Sequence, residues 1–271
     1  MDKTGEQIQN LIEETKNIES WIFIDEKTVT AIGTLAVDDD RNNGIVQNFA
    51  FSSEYVDTAL ELLKHLITRA KIWKLKTVTI TTWENVESIQ KLLTDAGFHI
   101  KNQMALMHLN PANIKVPEKD QYSTIKSLAD GVSIDAFVES NRLAFAKDNS
   151  RPLEKIELEH WIKSIPGFQA DRQLVAIIDD EIVGTVMSEV DEIKKEDSIC
   201  RHAWIYGLGV VPEARRRGIA ANLLRELSCR FCAHGIRDVW VITDFEGPVR
   251  SFYEAVGFTY QTKWIEFMHD F

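Results

Sequence analysis

The stretch from residue 210 to residue 220 reads Val210-Val211-Pro212-Glu213-Ala214-Arg215-Arg216-Arg217-Gly218-Ile219-Ala220, a strand-like run that Pro212 interrupts before a helix begins. A helix N-terminus carries a partial positive charge. Each arginine there therefore destabilises the helix by roughly 0.3–1 kcal/mol unless a bound anion compensates. The same helix end offers unpaired backbone N–H groups, and Gly218 lets a ligand approach them closely. We predict a phosphate-binding loop; the alternative is a solvated basic patch beside a turn.

Two well-known phosphate motifs match this stretch poorly. A P-loop requires Gly-Lys-Ser/Thr at the helix start, and Gly218-Ile219-Ala220 does not supply it. The preceding Gly207-Leu208-Gly209 begins like a dinucleotide fingerprint, but Pro212 stands where the third glycine belongs. The sequence therefore argues against hydrolysis of nucleoside triphosphates and gives only a weak dinucleotide match.

The residues around the loop alternate between strand and helix patterns. Two strands flank a polar turn at Asp179-Asp180-Glu181, which predicts a hairpin. Pro248 suits a helix start and Gly257 a helix end. The predicted strands are Leu174–Asp179, Ile182–Val190, Ala203–Val211 and Val239–Thr243, and the predicted helices are 216–234 and 248–257.

The chain repeats this order once. Ala31-Ile32-Gly33-Thr34-Leu35 resembles Ile182-Val183-Gly184-Thr185-Val186, and Asp95-Ala96-Gly97-Phe98 resembles Ala255-Val256-Gly257-Phe258. A polar helix is predicted over residues 1–19. The other predicted elements of the first half are strands 28–37, 45–51 and 77–82 and helices 58–73 and 86–96. Prolines and charges at 110–120 interrupt both periodicities, so we expect domains at 1–120 and 121–271.

Composition limits the classes of function. The 271 residues have a net charge of -11, which disfavours binding to nucleic acid or an anionic membrane. No apolar run approaches the ~20 residues of a spanning helix. The start, Met1 to Lys16, is polar and acidic rather than a secretion signal. Three cysteines are too few for a disulfide framework, so we expect a cytoplasmic protein.

The loop Arg215-x-x-Gly218-x-Ala220 follows a strand, and Phe252-Tyr253-x-x-x-Gly257-Phe258 follows one helix and one strand later. This ordered pair of motifs resembles the GNAT acetyltransferase superfamily over most of 125–271 and, more faintly, over most of 20–110. The resemblance implies an α/β fold of two tandem GNAT-like domains, each with a mixed, mostly antiparallel sheet flanked by helices. It also implies acetyl-CoA as co-substrate, without a metal.

The resemblance assigns cofactor contacts by position. The backbone around Leu208, Gly209 and Val210 would hold the pantetheine and the thioester oxygen, with the two nearby glycines easing a bulge in that strand. The strand would splay from its neighbour to admit the pantetheine arm. The pyrophosphate would be held by Arg215, Arg216, Arg217, Gly218, Ile219 and Ala220.

Acetyl transfer also needs an acid for the departing thiolate and a base for the amine. Tyr253 stands where the family often has a tyrosine acid, although a buried core tyrosine is the alternative. The strand 202–206 lacks the family's glutamate. The base candidates are therefore His202 and, acting through water, Glu189 or Asp191; the alternative for each is ordinary surface or strand-end polarity.

Aligned on the Gly-Phe anchors, the first half has lost the motif. Tyr55, Thr58 and Leu60 replace Arg215, Gly218 and Ala220, and Leu93 replaces Tyr253. We expect a degenerate partner domain that shapes the substrate cleft or stabilises the active half.

These observations predict an N-acetyltransferase that moves an acetyl or short acyl group from acetyl-CoA to a primary amine by direct attack in a ternary complex. The expected partners are coenzyme A and a small-molecule amine; the oligomeric state stays open. The alternative is a non-catalytic acyl-CoA sensor. Cys229 and Cys232, three apart on one helix, are interpreted as small core residues rather than metal ligands.

Overall fold

The computed structural model describes residues 18–25, 28–38, 42–115, 123–146, 154–195 and 198–271. The chain divides into two compact units. Unit 1 comprises residues 1–104 and 262–271, and unit 2 comprises residues 105–261. The predicted join near residue 120 and residues 1–17 of the predicted first helix lie outside the described residues.

Unit 1 alternates strands with two helices. Its last strand comes from the C-terminus of the chain, where Trp264 pairs with Trp83 and Asp270 with Thr77. The elements with residues in unit 1 are β1 (Ile18–Asp25), β2 (Thr28–Asp38), β3 (Asn43–Phe51), α1 (Val56–Ile72), β4 (Thr77–Trp83), α2 (Glu87–Asp95), β5 (His99–Leu109) and β11 (Thr259–Asp270).

Unit 2 begins within β5 and ends within β11. Short 3-10 turns at Pro111–Asn113, Leu128–Asp130, Ala170–Arg172 and Pro212–Ala214 connect its elements. Those elements are β6 (Thr124–Ser127), α3 (Ile134–Ala144), α4 (Lys155–Ser164), β7 (Leu174–Ile178), β8 (Glu181–Lys195), β9 (Ser198–Val210), α5 (Ile219–Ala233), β10 (Asp238–Asp244) and α6 (Pro248–Ala255).

Each unit has a mixed, mostly antiparallel sheet flanked by helices, as predicted. In unit 1 the strand order is β1-β2-β3-β4-β11-β5, and in unit 2 it is β5-β10-β9-β8-β7-β6. Among the strand pairs with a described register, only β3 with β4 and β9 with β10 run parallel. The predicted hairpin is confirmed: β7 and β8 are joined at Asp179 and Asp180, which have φ angles of 49° and 64°. Two consecutive left-handed residues are the signature of a tight hairpin turn.

One central helix organises the core of each unit. In unit 1, α1 buries Leu62, Leu63 and Leu66 against the sheet. In unit 2, α5 buries a stripe of Leu223, Leu224, Leu227 and Phe231 against β7, β8 and β9. This packing fixes the position of the α5 N-terminus next to the end of β9.

The prediction that Cys229 and Cys232 are core residues is wrong. Both side chains are exposed free thiols, because the buried stripe of α5 leaves them on the solvent side of the helix.

Candidate active site

A cavity of about 860 Å³ lies in unit 2 between the ends of β9 and α3 and the starts of α5 and α6. Ala144 and Phe145 line it at the end of α3, and Phe252 lines it from α6. Most of the predicted site residues also line it, namely Leu208, Gly209, Val210, Arg215, Arg216, Gly218, Ile219, Ala220 and Tyr253. The cavity walls do not include Arg217, His202 or Glu189.

Strand β9 separates from β10 at this cavity. The parallel pairing ends at Ile205 and Val241, although β9 continues to Val210 and β10 to Asp244. The Val211 N–H donates a hydrogen bond to the Val183 carbonyl of β8. Because backbone groups of successive residues in a strand point to opposite sides, the N–H and carbonyl of Val210 point toward the opened side. The splay therefore leaves this segment of β9 unpaired by β10, so an extended ligand can lie beside it.

A bulge interrupts β9 within the splayed segment. Tyr206 pairs with Met187 and Gly209 with Thr185, so Gly207 and Leu208 together face a single residue of β8. Gly207 has a φ of 50°, and a Cβ there would lie 2.6 Å from Met187 Cε. The left-handed φ of Gly207 favours glycine at this bulge, and the resemblance implied a bulge eased by glycines in this strand.

The N-terminus of α5 has the features of an anion site. Helix α5 begins at Ile219 rather than at the predicted Arg216, because Arg216 and Gly218 have left-handed φ angles of 64° and 89°. Gly218 occupies the cap position and, as glycine, has no side chain with which to cap the helix. Since the first turn of a helix lacks intrahelical acceptors, its N–H groups are available to a bound anion.

The three arginines take different places. Arg215 donates from Nε to the Val210 carbonyl at 3.0 Å and from its terminal nitrogen to the Ala144 carbonyl at 2.7 Å. Arg216 and Arg217 are exposed, and within the described part of the chain their guanidinium groups form no hydrogen bond or ion pair. The charges available for a ligand are therefore those of Arg216 and Arg217, while Arg215 joins β9 to α3.

Tyr253 is a buried residue of α6 that lines the cavity. Its ring makes edge contacts with Phe252 and Phe258 at centroid distances of 5.4 and 5.1 Å. Burial raises the pKa of the Tyr253 phenol well above its usual value, so the hydroxyl stays protonated. Among the described residues the hydroxyl has no hydrogen-bond partner, which leaves it free to donate a proton or hydrogen bond into the cavity.

Glu189 and Tyr206 form a polar pair on the neighbouring strands. The Tyr206 hydroxyl donates to Glu189 Oε2 at 3.3 Å. Burial, followed by the nearby Glu189 charge, raises the pKa of Tyr206 to about 12. His202 pairs across the strands with Asp191, two residues farther from the bulge than the Glu189–Trp204 pair. Of the three base candidates, Glu189 is the one linked by a hydrogen bond to a residue adjoining the bulge.

Helix α3 supplies residues that the sequence analysis did not identify. Asn141 is 5% exposed and donates from Nδ2 to Thr185 Oγ1 at 3.2 Å and to the Gly207 carbonyl at 3.4 Å. Farther along, a Cβ on Gly209 would meet Phe145 at 2.7 Å. No family motif or strong periodicity marks α3 in the sequence, so these contacts become visible only in three dimensions.

The helix start of unit 1 lacks these features. Tyr55 precedes α1 with a φ of −118°, and the first turn carries Asp57 rather than arginines. The splay itself is retained, since the parallel pairing of β3 with β4 ends at Val46 and Ile80 while both strands continue. Unit 1 thus keeps the strand geometry without a cationic cradle at the helix.

The described residues lack two further features. These residues contain no cluster of three or more His, Cys, Asp or Glu side chains that could hold a metal ion. No helix within the same ranges is long and apolar enough to cross a membrane.

Comparisons with known proteins agree with this geometry. Residues 169–260 match the family model of the acetyltransferase (GNAT) domain. A GCN5-related N-acetyltransferase from Sphaerobacter thermophilus superposes with a TM-score of 0.70 and 18% identity, over 94% of this chain and 80% of that one. A tandem GNAT protein from the clavulanic acid biosynthesis pathway superposes with a TM-score of 0.68 and 14% identity, over 93% of this chain and 82% of that one.

A third similar structure is part of a larger enzyme. It is a GCN5-related glucosamine N-acetyltransferase region of a fungal multi-domain GH3 β-N-acetylglucosaminidase, with a TM-score of 0.69 and 15% identity. The match covers 94% of this chain and 33% of that one. Residues 169–260 therefore match the GNAT acetyltransferase domain, and nearly the whole chain shares the fold of these GNAT structures, one of which is a tandem GNAT protein.

Proposed function

We propose that this protein is an N-acetyltransferase that moves the acetyl group of acetyl-CoA to a primary amine of a small molecule, within a ternary complex. The observation that carries the proposal is the start of α5, where the guanidinium group of Arg216, the left-handed Gly218 and the first helical turn line one cavity, with the exposed Arg217 next to them in the chain. A diphosphate would supply the negative charge that this cluster lacks.

The cavity also suits the rest of coenzyme A. Arg216 and Arg217, with the amides of Gly218, Ile219 and Ala220, would hold the pyrophosphate. The opened edge of β9 at Leu208, Gly209 and Val210 would pair with the pantetheine arm, because its backbone groups are not used by β10. Arg215 contributes by fixing the end of β9 rather than through a free charge.

Tyr253 is proposed as the general acid. During transfer, the amine nitrogen forms a bond to the acetyl carbon, the carbon–sulfur bond breaks, and the sulfur leaves as a thiolate. The phenol donates its proton to that sulfur. Its raised pKa keeps the proton in place until the thiolate develops, and its buried ring holds the hydroxyl at the cavity wall.

Glu189 is proposed as the group that receives the amine proton, directly or through water. It is the base candidate joined to Tyr206, which lies next to the bulge at Gly207 and Leu208. His202 and Asp191 stay as alternatives, and substitution distinguishes them. The net charge of -11 suits a cationic acceptor.

Unit 1 is proposed as a degenerate copy that does not bind acetyl-CoA in this manner. Asp57 stands in the first turn of α1, where a bound phosphate would be repelled. We therefore expect one coenzyme A site per chain. We also propose that the enzyme is cytoplasmic, since acetyl-CoA must be supplied continuously.

A thiol-release assay tests the activity with acetyl-CoA and four amines: spermidine, glucosamine, kanamycin and L-lysine. Calorimetry with acetyl-CoA is run in parallel. Turnover of at least one amine, with one binding site per chain, is the expected result. Binding without turnover would favour an acyl-CoA sensor, a reading that the lack of a carboxylate on β9 between Arg201 and Val210 supports. Absence of binding would refute both.

A further inference from the structure

The bulge in β9 leaves one backbone carbonyl without a partner in the sheet. Gly207 and Leu208 face a single residue of β8, and a bulge removes its extra residue from the ladder of hydrogen bonds. The β10 side cannot supply the partner, because pairing with β10 ends at Ile205. The Gly207 carbonyl, a hydrogen-bond acceptor, therefore needs a donor from outside the sheet.

Asn141 of α3 is that partner. Its carboxamide Nδ2 carries two hydrogens, and the structure directs it at two acceptors, the Gly207 carbonyl at 3.4 Å and Thr185 Oγ1 at 3.2 Å. Thr185 is fully buried on β8, and Asn141 is 5% exposed. A buried amide with two acceptors on adjacent strands holds the bulged residue at a fixed distance from β8.

We propose that Asn141 is a positioning residue that fixes the peptide following Gly207 and thereby aims the Leu208 amide for the thioester carbonyl. The inference rests on the proposed function. The link is covalent and short: the carbonyl of Gly207 and the N–H of Leu208 belong to one planar peptide, so a hydrogen bond to the first orients the second. Catalysis by backbone donors depends on such prior orientation.

The neighbouring residue Ser140 offers a matched control. Its hydroxyl donates to the Ile182 carbonyl of β8 at 3.1 Å, and the residue is 4% exposed. Ser140→Ala removes a buried hydrogen bond between the same helix and the same sheet without touching the bulge. If Asn141 has only a structural role, the two substitutions should have the same effect. If Asn141 positions the peptide, they should differ in kcat and in the shift of the Leu208 amide signal on addition of acetyl-CoA.

The first arm of the test is spectroscopic and needs no acceptor. Acetyl-CoA is titrated into ¹⁵N-labelled full-length wild type, Asn141→Leu and Ser140→Ala. In all three proteins the amide signals of Ile219 and Ala220 should shift, which reports the phosphate site. The Leu208 amide should shift in wild type and in Ser140→Ala, and the shift should be lost in Asn141→Leu.

The second arm measures kcat and KM for acetyl-CoA with the four amines named above. Asn141→Leu should lower kcat by about 10- to 100-fold and change KM by less than about threefold, while Ser140→Ala keeps kcat within about twofold. Equal Leu208 shifts and equal kcat values in the two variants would overturn the positioning role. Wild type without shifts at Ile219 and Ala220 would instead refute the phosphate site, and the thioester role with it. Should Asn141→Leu not fold, Asn141→Ser, which is shorter but still polar, is compared in the same way.

Discussion

The guanidinium of Arg215 joins the carbonyl of Ala144, the last residue of α3, to the carbonyl of Val210, the last residue of β9. The first arginine of the loop thus ties two walls of the cavity together. Its neighbours Arg216 and Arg217 are exposed and form no hydrogen bond or ion pair within the described ranges. The three adjacent arginines therefore differ in their surroundings, and we propose that only the last two bind the anion.

Substitution of Arg215 should therefore lower stability, whereas substitution of Arg216 should weaken acetyl-CoA binding. Arg215→Ala should lower the melting temperature by about 2–4 °C, because it removes two hydrogen bonds worth about 1 kcal/mol together. Arg216→Ala should leave the melting temperature within about 1 °C and weaken acetyl-CoA binding by about 5- to 10-fold through the lost charge. Thermal denaturation and calorimetry measure the two effects; equal melting temperatures for both variants would contradict the assignment of Arg215.

Gly218→Glu should weaken acetyl-CoA binding by about 100-fold or more. The residue has a φ of 89°, which strains any other side chain, and a carboxylate would lie where phosphates are proposed. Gly131→Glu is the matched control, because Gly131 has a φ of 84° and open space around it, away from the cavity. Calorimetry should show near-normal binding for the control. Equal affinities in the two variants would exclude phosphate binding at Gly218.

Tyr253→Phe should reduce kcat by about 10²-fold and leave the dissociation constant of acetyl-CoA within about twofold, since only the proton donor is lost. Burial raises the pKa of this phenol, so wild-type turnover should show no loss from its ionisation up to about pH 10, the usual pKa of tyrosine. Steady-state kinetics across pH measures both effects. Tyr260→Phe, on β11 and outside the cavity wall, serves as the control. A kcat for Tyr253→Phe equal to that of the control would show that Tyr253 is not the general acid.

Glu189→Gln should lower the pKa of Tyr206 from about 12, because the carboxylate charge that disfavours the phenolate disappears. Burial is the larger cause of the shift and is unchanged, so the pKa should stay above 10, its ordinary value. Absorbance of tyrosinate near 295 nm, compared with that of Tyr206→Phe, measures the change. An unaltered titration would show that the two side chains do not interact.

The same substitution tests the base. Glu189→Gln should lower kcat/KM by about 10- to 100-fold near neutral pH, with a smaller loss at alkaline pH, where free amines are already deprotonated. His202→Gln should have a smaller effect. The reverse order would assign the proton transfer to His202.

Local patterns in the sequence were sufficient for much of unit 2. The glycines, the proline and the apolar spacing of residues 174–257 predicted the hairpin, β10, α5 and α6, because each of these signals acts within a few residues. The start of α5 was predicted three residues early. Arg216 takes a left-handed conformation there, which is unusual for arginine and which helix propensity does not anticipate.

Other elements depend on partners far along the chain. Strand β11 was not predicted, and its residues 264–270 pair with β4, whose sequence carries no signal for that partner. Helix α3 was likewise missed, because charged residues weaken its apolar stripe. Its absence from the prediction hid Asn141 and the Ala144 carbonyl, so the sequence marked the loop at 215–220 but not the groups of α3 that contact β9 and Arg215.

The most direct test of the account is the electron density of crystals of the full chain grown with acetyl-CoA. We predict one cofactor per chain, with its pyrophosphate against Arg216, Arg217 and the first amides of α5, and its pantetheine beside Leu208–Val210. Density for the cofactor at any other location, with solvent at the start of α5, would contradict the account.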